Sequence, residues 1–172
     1  QLILDSTGAP TSIVDSSNET KFEAIKNNYS GVSGSIGLSY QINKLSTLKL
    51  NISRGNRAPN ISEIASNGRH EGTFRYEIGK SNLKSETSHQ IDLAYFLNSE
   101  HITFELSPFA NFISNYIYTS KLLDSLGNDI IIDPLDPAPA FEFAQAQATL
   151  IGGEFYIDVH PHPFDWLHIA NS

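Results

Sequence analysis

From Gly31 to Asn43 the chain alternates between two kinds of position. Val32, Gly34, Ile36, Leu38, Tyr40 and Ile42 fall on one side, and Gly31, Ser33, Ser35, Gly37, Ser39, Gln41 and Asn43 on the other. A period of two held this long predicts a strand well beyond the usual length of about 5–6 residues. After a polar turn through Asn43 to Ser46, Leu48, Leu50 and Ile52 oppose Thr47, Lys49, Asn51 and Ser53, so the two segments are predicted to form a long hairpin. From about Gly55 to Ser85, Pro59, Gly68, Gly72 and Gly79 exclude a regular element running through, and a loop of about 30 residues is expected. Alternation resumes with Ile91, Leu93, Tyr95 and Leu97, turns near Ser99 and Glu100, and returns through Ile102, Phe104, Leu106, Ala110 and Phe112 toward Tyr118. Pro108 interrupts this strand, and a local bulge is the expected accommodation. A second long break covers about Lys121 to Phe141, with a turn at Asp124 to Gly127 and three prolines, Pro134, Pro137 and Pro139. Ala144, Ala146, Ala148 and Leu150 then alternate with Gln145, Gln147 and Thr149, and the phase flips at Gly152 and Gly153 so that Phe155, Ile157 and Val159 become the apolar set. Such a flip predicts a bulge at the glycines. A connection through His160, Pro161, His162 and Pro163 leads to a last strand at Trp166, while the first 28 residues, with a turn at Asp5 to Gly8 and a polar run from Ser16 to Glu19, read as another long connection.

The connections therefore run long and short in turn, about 28, 3, 30, 3, 20 and 4 residues. Because antiparallel strands alternate in direction, all short turns lie at one end of the sheet and all long loops at the other. That one-sidedness is the layout of a transmembrane β-barrel. Tyr40, Tyr95 and Trp166 fall near the short-turn end and Tyr29, Tyr116 and Tyr118 near the long-loop end, as two interfacial aromatic belts require. The fold class expected is all-β, antiparallel up-and-down strands from a transmembrane β-barrel, about six strands and so incomplete, since the smallest barrels have about 8. A soluble sandwich or closed barrel also alternates apolar and polar faces and remains the competing reading.

Composition narrows the chemistry. The 172 residues carry a net charge of −8 and 17% charged residues, with 21 Ser, 14 Asn and 9 Thr in compensation. That balance argues against nucleic acid as a partner. No Cys is present, which excludes disulfide scaffolds, thiolate metal sites and thiol catalysis. No apolar run approaches the roughly 18 residues of a membrane-spanning helix. Met is absent even at position 1, so the residues are expected to be part of a longer chain.

The loop after the second strand carries further information. Arg57, Ala58, Pro59, Asn60, Ile61, Ser62 and Glu63 open it, Ser66 to Gly68, His70 to Thr73 and Tyr76 to Gly79 follow, and Asn82, Leu83, Lys84, Ser85 and Glu86 close it. This succession resembles the TonB-dependent outer-membrane receptors, in which an Arg-x-Pro-x-x-x-Glu segment precedes a Gly-Asn-Pro-x-Leu-Lys-Pro-Glu segment. Asn115 to Tyr118 and the Gly-x-Glu of Gly152 to Glu154 extend the resemblance, which covers about Tyr29 to Ala170. Lys80 and Ser81 stand where Asn-Pro is usual and Ser85 where Pro is usual, which predicts a less rigid loop exit. The resemblance implies a partial barrel domain over residues 1–172, with the family's plug domain and terminal aromatic-ended strand absent from it. It also implies TonB-energised uptake of a scarce ligand, such as a ferric siderophore, metal, cobalamin or glycan, across the outer membrane of a Gram-negative bacterium. The implied partners are the TonB complex acting through the plug, an extracellular small molecule or metal chelate, and outer-membrane lipid. A soluble β-sheet binding module without transport is the alternative.

Arg57 continues the polar face of its strand and Glu86 begins the polar face of the next, so the two are expected to pair across the root of the loop. Pro59, Glu63, Gly79, Leu83, Gly152 and Glu154 are taken with them as structural motif residues. Arg69, His70, Glu71, Arg75 and Tyr76 are the candidate ligand-binding residues of the loop, cationic and aromatic groups suited to an anionic chelate. His70 with Glu71 is one imidazole and one carboxylate, too few for a metal site, so no metal site and no cofactor is predicted. Lys49, Asp92, Glu105 and Glu154 read as a hydrated polar wall. No nucleophile elbow, phosphate loop or zinc-protease helix occurs, so no catalytic residue is assigned and an enzyme is not expected.

Overall fold

The computed structural model describes residues 3–4, 10–11, 19–20, 25–70, 72–160 and 169–172. The predicted turn at 5–8, most of the polar run at 16–19, Glu71, the Pro161 to Pro163 connection and Trp166 lie outside the described residues. Three two-residue strands, β1 (Ile3–Leu4), β2 (Pro10–Thr11) and β3 (Glu19–Thr20), form a small antiparallel sheet in the order β2-β1-β3. The main sheet comprises β4 (Gly34–Gln41), β5 (Ser46–Arg57), β6 (Asn67–His70), β7 (Arg75–Ile78), β8 (Glu86–Asn98), β9 (Ile102–Lys121), β10 (Ala140–Val159) and β11 (Ile169–Asn171). Its order is β4-β5-β8-β9-β10-β7-β6, with β11 beside β10. One helical turn and a half, α1 (Ile61–Ala65), lies between β5 and β6.

β4 with β5, β5 with β8 and β8 with β9 pair antiparallel in up-and-down order, and the pairing of β7 departs from it. β7 joins β10 in parallel, Tyr76 opposite Ala140, because it belongs to a hairpin within the first long loop rather than to the meander. The loop expected to lack regular structure thus carries α1, β6 and β7. Its glycines and proline end elements instead of preventing them.

The short turns are closed by local polar groups. Asn43 Oδ1 accepts from the Leu45 N–H at 2.8 Å, and Ser99 Oγ accepts from the Ile102 N–H at 3.0 Å. Such side-chain turns let two strands reverse within three or four residues without help from packing.

The chain divides into two compact units. One contains Gly31–Arg57, Glu86–Tyr116 and Gln147–Ser172. Here β5 and β8 stay in register from Ser46 opposite Leu97 to Arg57 opposite Glu86, and β4 pairs with β5 without a slip. Register sorts the side chains into transverse rows. Ile36, Ile52 and Ile91 form one row and Leu38, Leu50 and Leu93 the next. Both rows are open to the surroundings, with Ile36 at 74% and Leu38 at 67% exposure. The opposite face is polar and cross-linked: Asn51 Nδ2 donates to Asp92 Oδ2 at 3.0 Å and Gln90 Nε2 to Asp92 Oδ1 at 2.6 Å. Lys49 lies 4.6 Å from the centre of the Phe96 ring, its ammonium over the aromatic face.

Pro108 causes no bulge of the register. The pairs on both sides of it, Asp92 with Phe109 and Tyr95 with Leu106, belong to one register, and the ladder skips only the positions between. A missing donor costs a ladder bond without requiring an inserted residue. The left-handed residue of this strand is Asn115, at φ 58°, just past the last ladder pair of Thr87 with Ser114. Gly152 and Gly153 lie inside β10, and neither has positive φ. They are needed for their missing side chains: a β-carbon on Gly152 would lie 2.8 Å from Phe109 Cζ, and one on Gly153 would lie 3.2 Å from Pro108 Cα.

The other unit contains Gln1–Ser30, Ala58–Ser85 and Ile117–Ala146. All four buried hydrophobic residues among the described residues, Leu83, Ile117, Ala138 and Ala140, belong to it. The strand unit has no apolar core among its described residues, and the unit built from loops has one.

Gly152→Val is expected to destabilise the intact protein in detergent by about 1–3 kcal/mol through overpacking against Phe109. Urea midpoints for Gly152→Val, Phe109→Ala and the double variant check this. Coupling, with the double variant less damaged than the sum of the singles, is the expected result, and strict additivity would remove the contact as the cause.

Candidate functional site

The candidate site is the loop unit, whose longest segment is flanked in sequence by Arg57 and Glu86. At the last ladder pair of β5 and β8, Arg57 Nε donates to Glu86 Oε2 at 2.6 Å. The ion pair lies at the root of a 28-residue excursion, Ala58–Ser85, and ties its first and last residues to adjacent strands. Glu86 is the more buried partner, its side chain at 12% exposure against 44% for Arg57.

Chain entry into the loop is shaped by Pro59, which is buried, and by Asn60. Asn60 Oδ1 accepts from the Glu63 N–H at 2.9 Å while Glu63 Oε2 accepts from the Asn60 N–H at 2.8 Å. This reciprocal capping box starts α1 and accounts for a buried glutamate, at 8% exposure, in an exposed loop. The free carbonyls at the end of so short a helix are then used. Ser66 O accepts from the Gly79 N–H at 2.7 Å and Glu63 O from the Lys80 N–H at 2.9 Å. Gly79 lies so close to the helix end that a β-carbon would meet the nitrogens of Ala65 and Ser66 at 2.5 Å. Leu83 is buried beyond it, and its carbonyl accepts from the Tyr29 hydroxyl at 3.2 Å.

The loop exit, where the sequence lacks two prolines, is held by amide groups. Gln145 Oε1 accepts from the Lys84 N–H at 2.9 Å and Gln145 Nε2 donates to the Lys84 carbonyl at 2.8 Å. This is the pairing a neighbouring strand would offer, made by one side chain. Asn27 Nδ2 adds a bond to the Ser81 carbonyl at 2.6 Å. Gln145, Asn27 and Asn60 were not singled out by the sequence reading. Asn60 had a signal, the Asn-x-x-Glu spacing before an apolar residue. Gln145 had none, because its target lies 61 residues away.

The five candidate ligand residues do not form one cluster. In the β6–β7 hairpin Arg69 is opposite Tyr76, and His70 is opposite Arg75, so the two pairs occupy opposite faces. Glu71 is outside the described residues. Arg69 forms an ion pair with Asp136 and stands over the Phe74 ring at 4.1 Å. Arg75 Nη1 donates to Thr119 Oγ1 at 3.3 Å and its guanidinium lies 5.0 Å from the Phe141 ring centre. The Tyr76 hydroxyl donates to Asn67 Oδ1 at 2.8 Å, and His70 Nδ1 is 3.3 Å from Thr73 Oγ1. Arg69 and His70 also line an open cleft of about 440 Å³ between α1 and β6, with Ser62, Ser66 and Glu77. No group of three His, Asp or Glu side chains suited to a metal ion occurs among the described residues.

The second long connection is held by its own turn. Asp124 Oδ1 accepts from the N–H groups of Leu126 and Asn128, both at 2.8 Å, and Oδ2 accepts from Asn128 Nδ2 at 3.1 Å. Gly127 takes φ 85°, which the turn requires. The Asn128 N–H, joined by the Asn128 side-chain amide, holds the Asp124 carboxyl below the ordinary carboxylate range. Lys121 Nζ pairs with Asp129 at 2.7 Å on the same turn.

Residues 7–167 match the family of TonB dependent receptor-like β-barrels. The chain belongs to that family. Among solved structures this TonB-dependent receptor-like barrel segment is similar to the copper transporter OprC, at 18% identity and a TM-score of 0.55, over 74% of this chain and 18% of that one. It is similar to the siderophore receptor PirA from Pseudomonas aeruginosa, at 23% identity and a TM-score of 0.57, over 76% of this chain and 25% of that one. A third likeness is to a variant of the ferric enterobactin receptor PfeA from Pseudomonas aeruginosa in complex with enterobactin, at 23% identity and a TM-score of 0.51, over 74% and 20%. At these identities the likeness concerns the fold. The receptor segment spans a quarter or less of the length of these three chains.

Two predictions concern the receptor loops. Gly79→Ala is expected to separate the loop exit from α1 and destabilise the loop by about 1–3 kcal/mol, seen as faster proteolytic nicking within residues 58–85 of the intact protein; an unchanged nicking rate would contradict it. For Asp124 the folded-state pKa is depressed, so its contribution is present above the ordinary carboxylate range and is lost as pH falls through the depressed value. Asp124→Ala should therefore be nicked faster than wild type in residues 122–139 at neutral pH, and the difference should vanish in strong acid. A difference that grows toward acid would reverse the assignment.

Proposed function

We infer that the chain forms wall strands and loops of an outer-membrane receptor that takes up a scarce ligand by TonB-dependent transport in a Gram-negative bacterium. The observation that carries this reading is the inverted polarity of the strand unit: apolar rows across β4, β5 and β8 face outward while the amide and carboxylate groups bond to one another. Exposed to water, such rows would cost roughly 25 cal/mol per Å²; against lipid they cost nothing. A barrel closes its strand edges, which an isolated sheet cannot do.

On this reading residues 1–172 are part of the barrel domain, and the plug through which the TonB complex acts belongs to the rest of the receptor. The folded loop around α1, β6 and β7 meets ligands outside the cell, with Arg69, His70, Arg75 and Tyr76 as candidate contacts through the donors that their internal partners leave over. Solved structures of similar fold include a copper transporter and siderophore receptors, so a metal, or a metal chelate such as a ferric siderophore, is the first ligand class to test, with cobalamin and a glycan as the alternatives. No catalytic step is assigned.

Expression of the intact gene product followed by fractionation tests the reading. Recovery with outer membranes, extraction only by detergent, and uptake of a labelled ferric chelate that stops when TonB is deleted are expected. Recovery as a soluble protein without detergent would replace the reading with a β-sheet binding module.

A further inference from the structure

Three of the loop unit's six described lysines and arginines are committed internally: Arg69 to Asp136, Arg75 to Thr119 and Phe141, Lys121 to Asp129. Three lysines differ. The side chains of Lys26, Lys80 and Lys84 are exposed and make no hydrogen bond or ion pair among the described residues. Lys26 and Lys84 line one cleft of about 490 Å³, walled by residues 26–30 on one side and 81–85 on the other. Lys80 directly precedes the second wall in sequence.

The cleft is built rather than accidental. Its walls are 54 residues apart in sequence and are fastened by Asn27 to the Ser81 carbonyl and by Tyr29 to the Leu83 carbonyl. The Lys84 backbone is independently gripped at both its N–H and its carbonyl by Gln145. What then faces the opening is a donor-rich set: two ammonium groups, the carboxamides of Asn28 and Asn82, and hydroxyls of Ser30 and Ser81. Among the described residues no carboxylate lines it, in a chain of net charge −8.

The lining suits an anion with several oxygens, because its two cations are both lysines. Lysines act as point charges that suit the several oxygens of a phosphoryl group. The volume exceeds what a bare phosphate fills and lies within the range of sites for small organic molecules, while carboxamides and hydroxyls pair with the hydroxyls of a sugar. We propose that this cleft binds a phosphorylated sugar, either free in solution or carried on a lipid headgroup. The lysines hold the phosphoryl oxygens, and Asn28, Asn82, Ser30 and Ser81 hold the sugar hydroxyls.

The test uses the intact receptor in detergent and in nanodiscs. A hexose monophosphate, the unphosphorylated hexose and inorganic phosphate are titrated by calorimetry into wild type, Lys26→Ala/Lys84→Ala and Lys26→Arg/Lys84→Arg. Loss of two charge-assisted contacts should weaken hexose monophosphate binding at least about tenfold in the Ala pair. The Arg pair should retain most of the affinity, and its retention excludes misfolding as the cause. In a second arm, nanodiscs carry a phosphorylated glycolipid or its dephosphorylated counterpart, and dissociation of each from wild type is compared. Binding of the free hexose monophosphate assigns a solute site, and retention of the phosphorylated glycolipid alone assigns a lipid site. Equal binding of the hexose with and without phosphate, equal binding to wild type and the Ala pair, or no binding in either arm would overturn the proposal. The calorimetric arm is independent of the uptake reading, so each can fail without the other.

Discussion

The long strands must satisfy their backbone hydrogen bonds against one another while leaving an apolar face unpacked. Everything in the strand unit follows from that constraint. In-register pairing from Ser46 with Leu97 to Arg57 with Glu86 keeps isoleucines and leucines in transverse rows on one face. A slip of one residue would place Asn51 and Asp92 among them. The polar face supports the same register, because Asn51 of β5 reaches Asp92 of β8 only in this alignment. The Arg57–Glu86 pair at the end of the ladder fixes the same alignment from the rim.

The loops obey the opposite rule. They fold around a small interior of Leu83, Ile117, Ala138 and Ala140, supported by the capping box at Asn60 and Glu63. An apolar core of four residues is too small to order a unit of this size unaided, so much of the order comes from backbone groups satisfied one by one. Gly79 lets two backbones approach, Gln145 replaces a missing strand, and Asp124 collects three donors.

This division explains what could be read from sequence. The strands were legible because period two is imposed by pleat and environment together, and the hairpin at Asn43 to Ser46 and the strand ends near Asn98 and Ile102 followed directly. Within the loop, Arg57 and Glu86 were legible as a pair because strand parity put both on one face. The hairpin of β6 and β7 was not, since Gly68 and Gly72 carry the same signal in an irregular loop as in a short strand and its turn. The neighbours of Gly152 and Gly153 were not legible for a related reason: an interior glycine does not say what comes close to it, and only the positions of Phe109 and Pro108 show that.

The same reasoning alters which loop residues count as available for binding. Charge and aromaticity drew attention to Arg69, Arg75 and Tyr76, yet each is engaged by its own loop unit, through Asp136 and Phe74, Thr119 and Phe141, and Asn67. A planar guanidinium can hydrogen-bond at its edge and stack on its face at once, which suits it to joining parts of a loop that lacks a large core. Lysine offers a single charge at the end of a flexible stem and contributes less to such joints. Arginines in these loops thus tend toward architecture and lysines toward solvent, with Lys121 as the exception through Asp129. The groups free to meet a solute are then those the loop's own folding leaves unused, and charge along the sequence cannot identify them until the internal pairs have been subtracted.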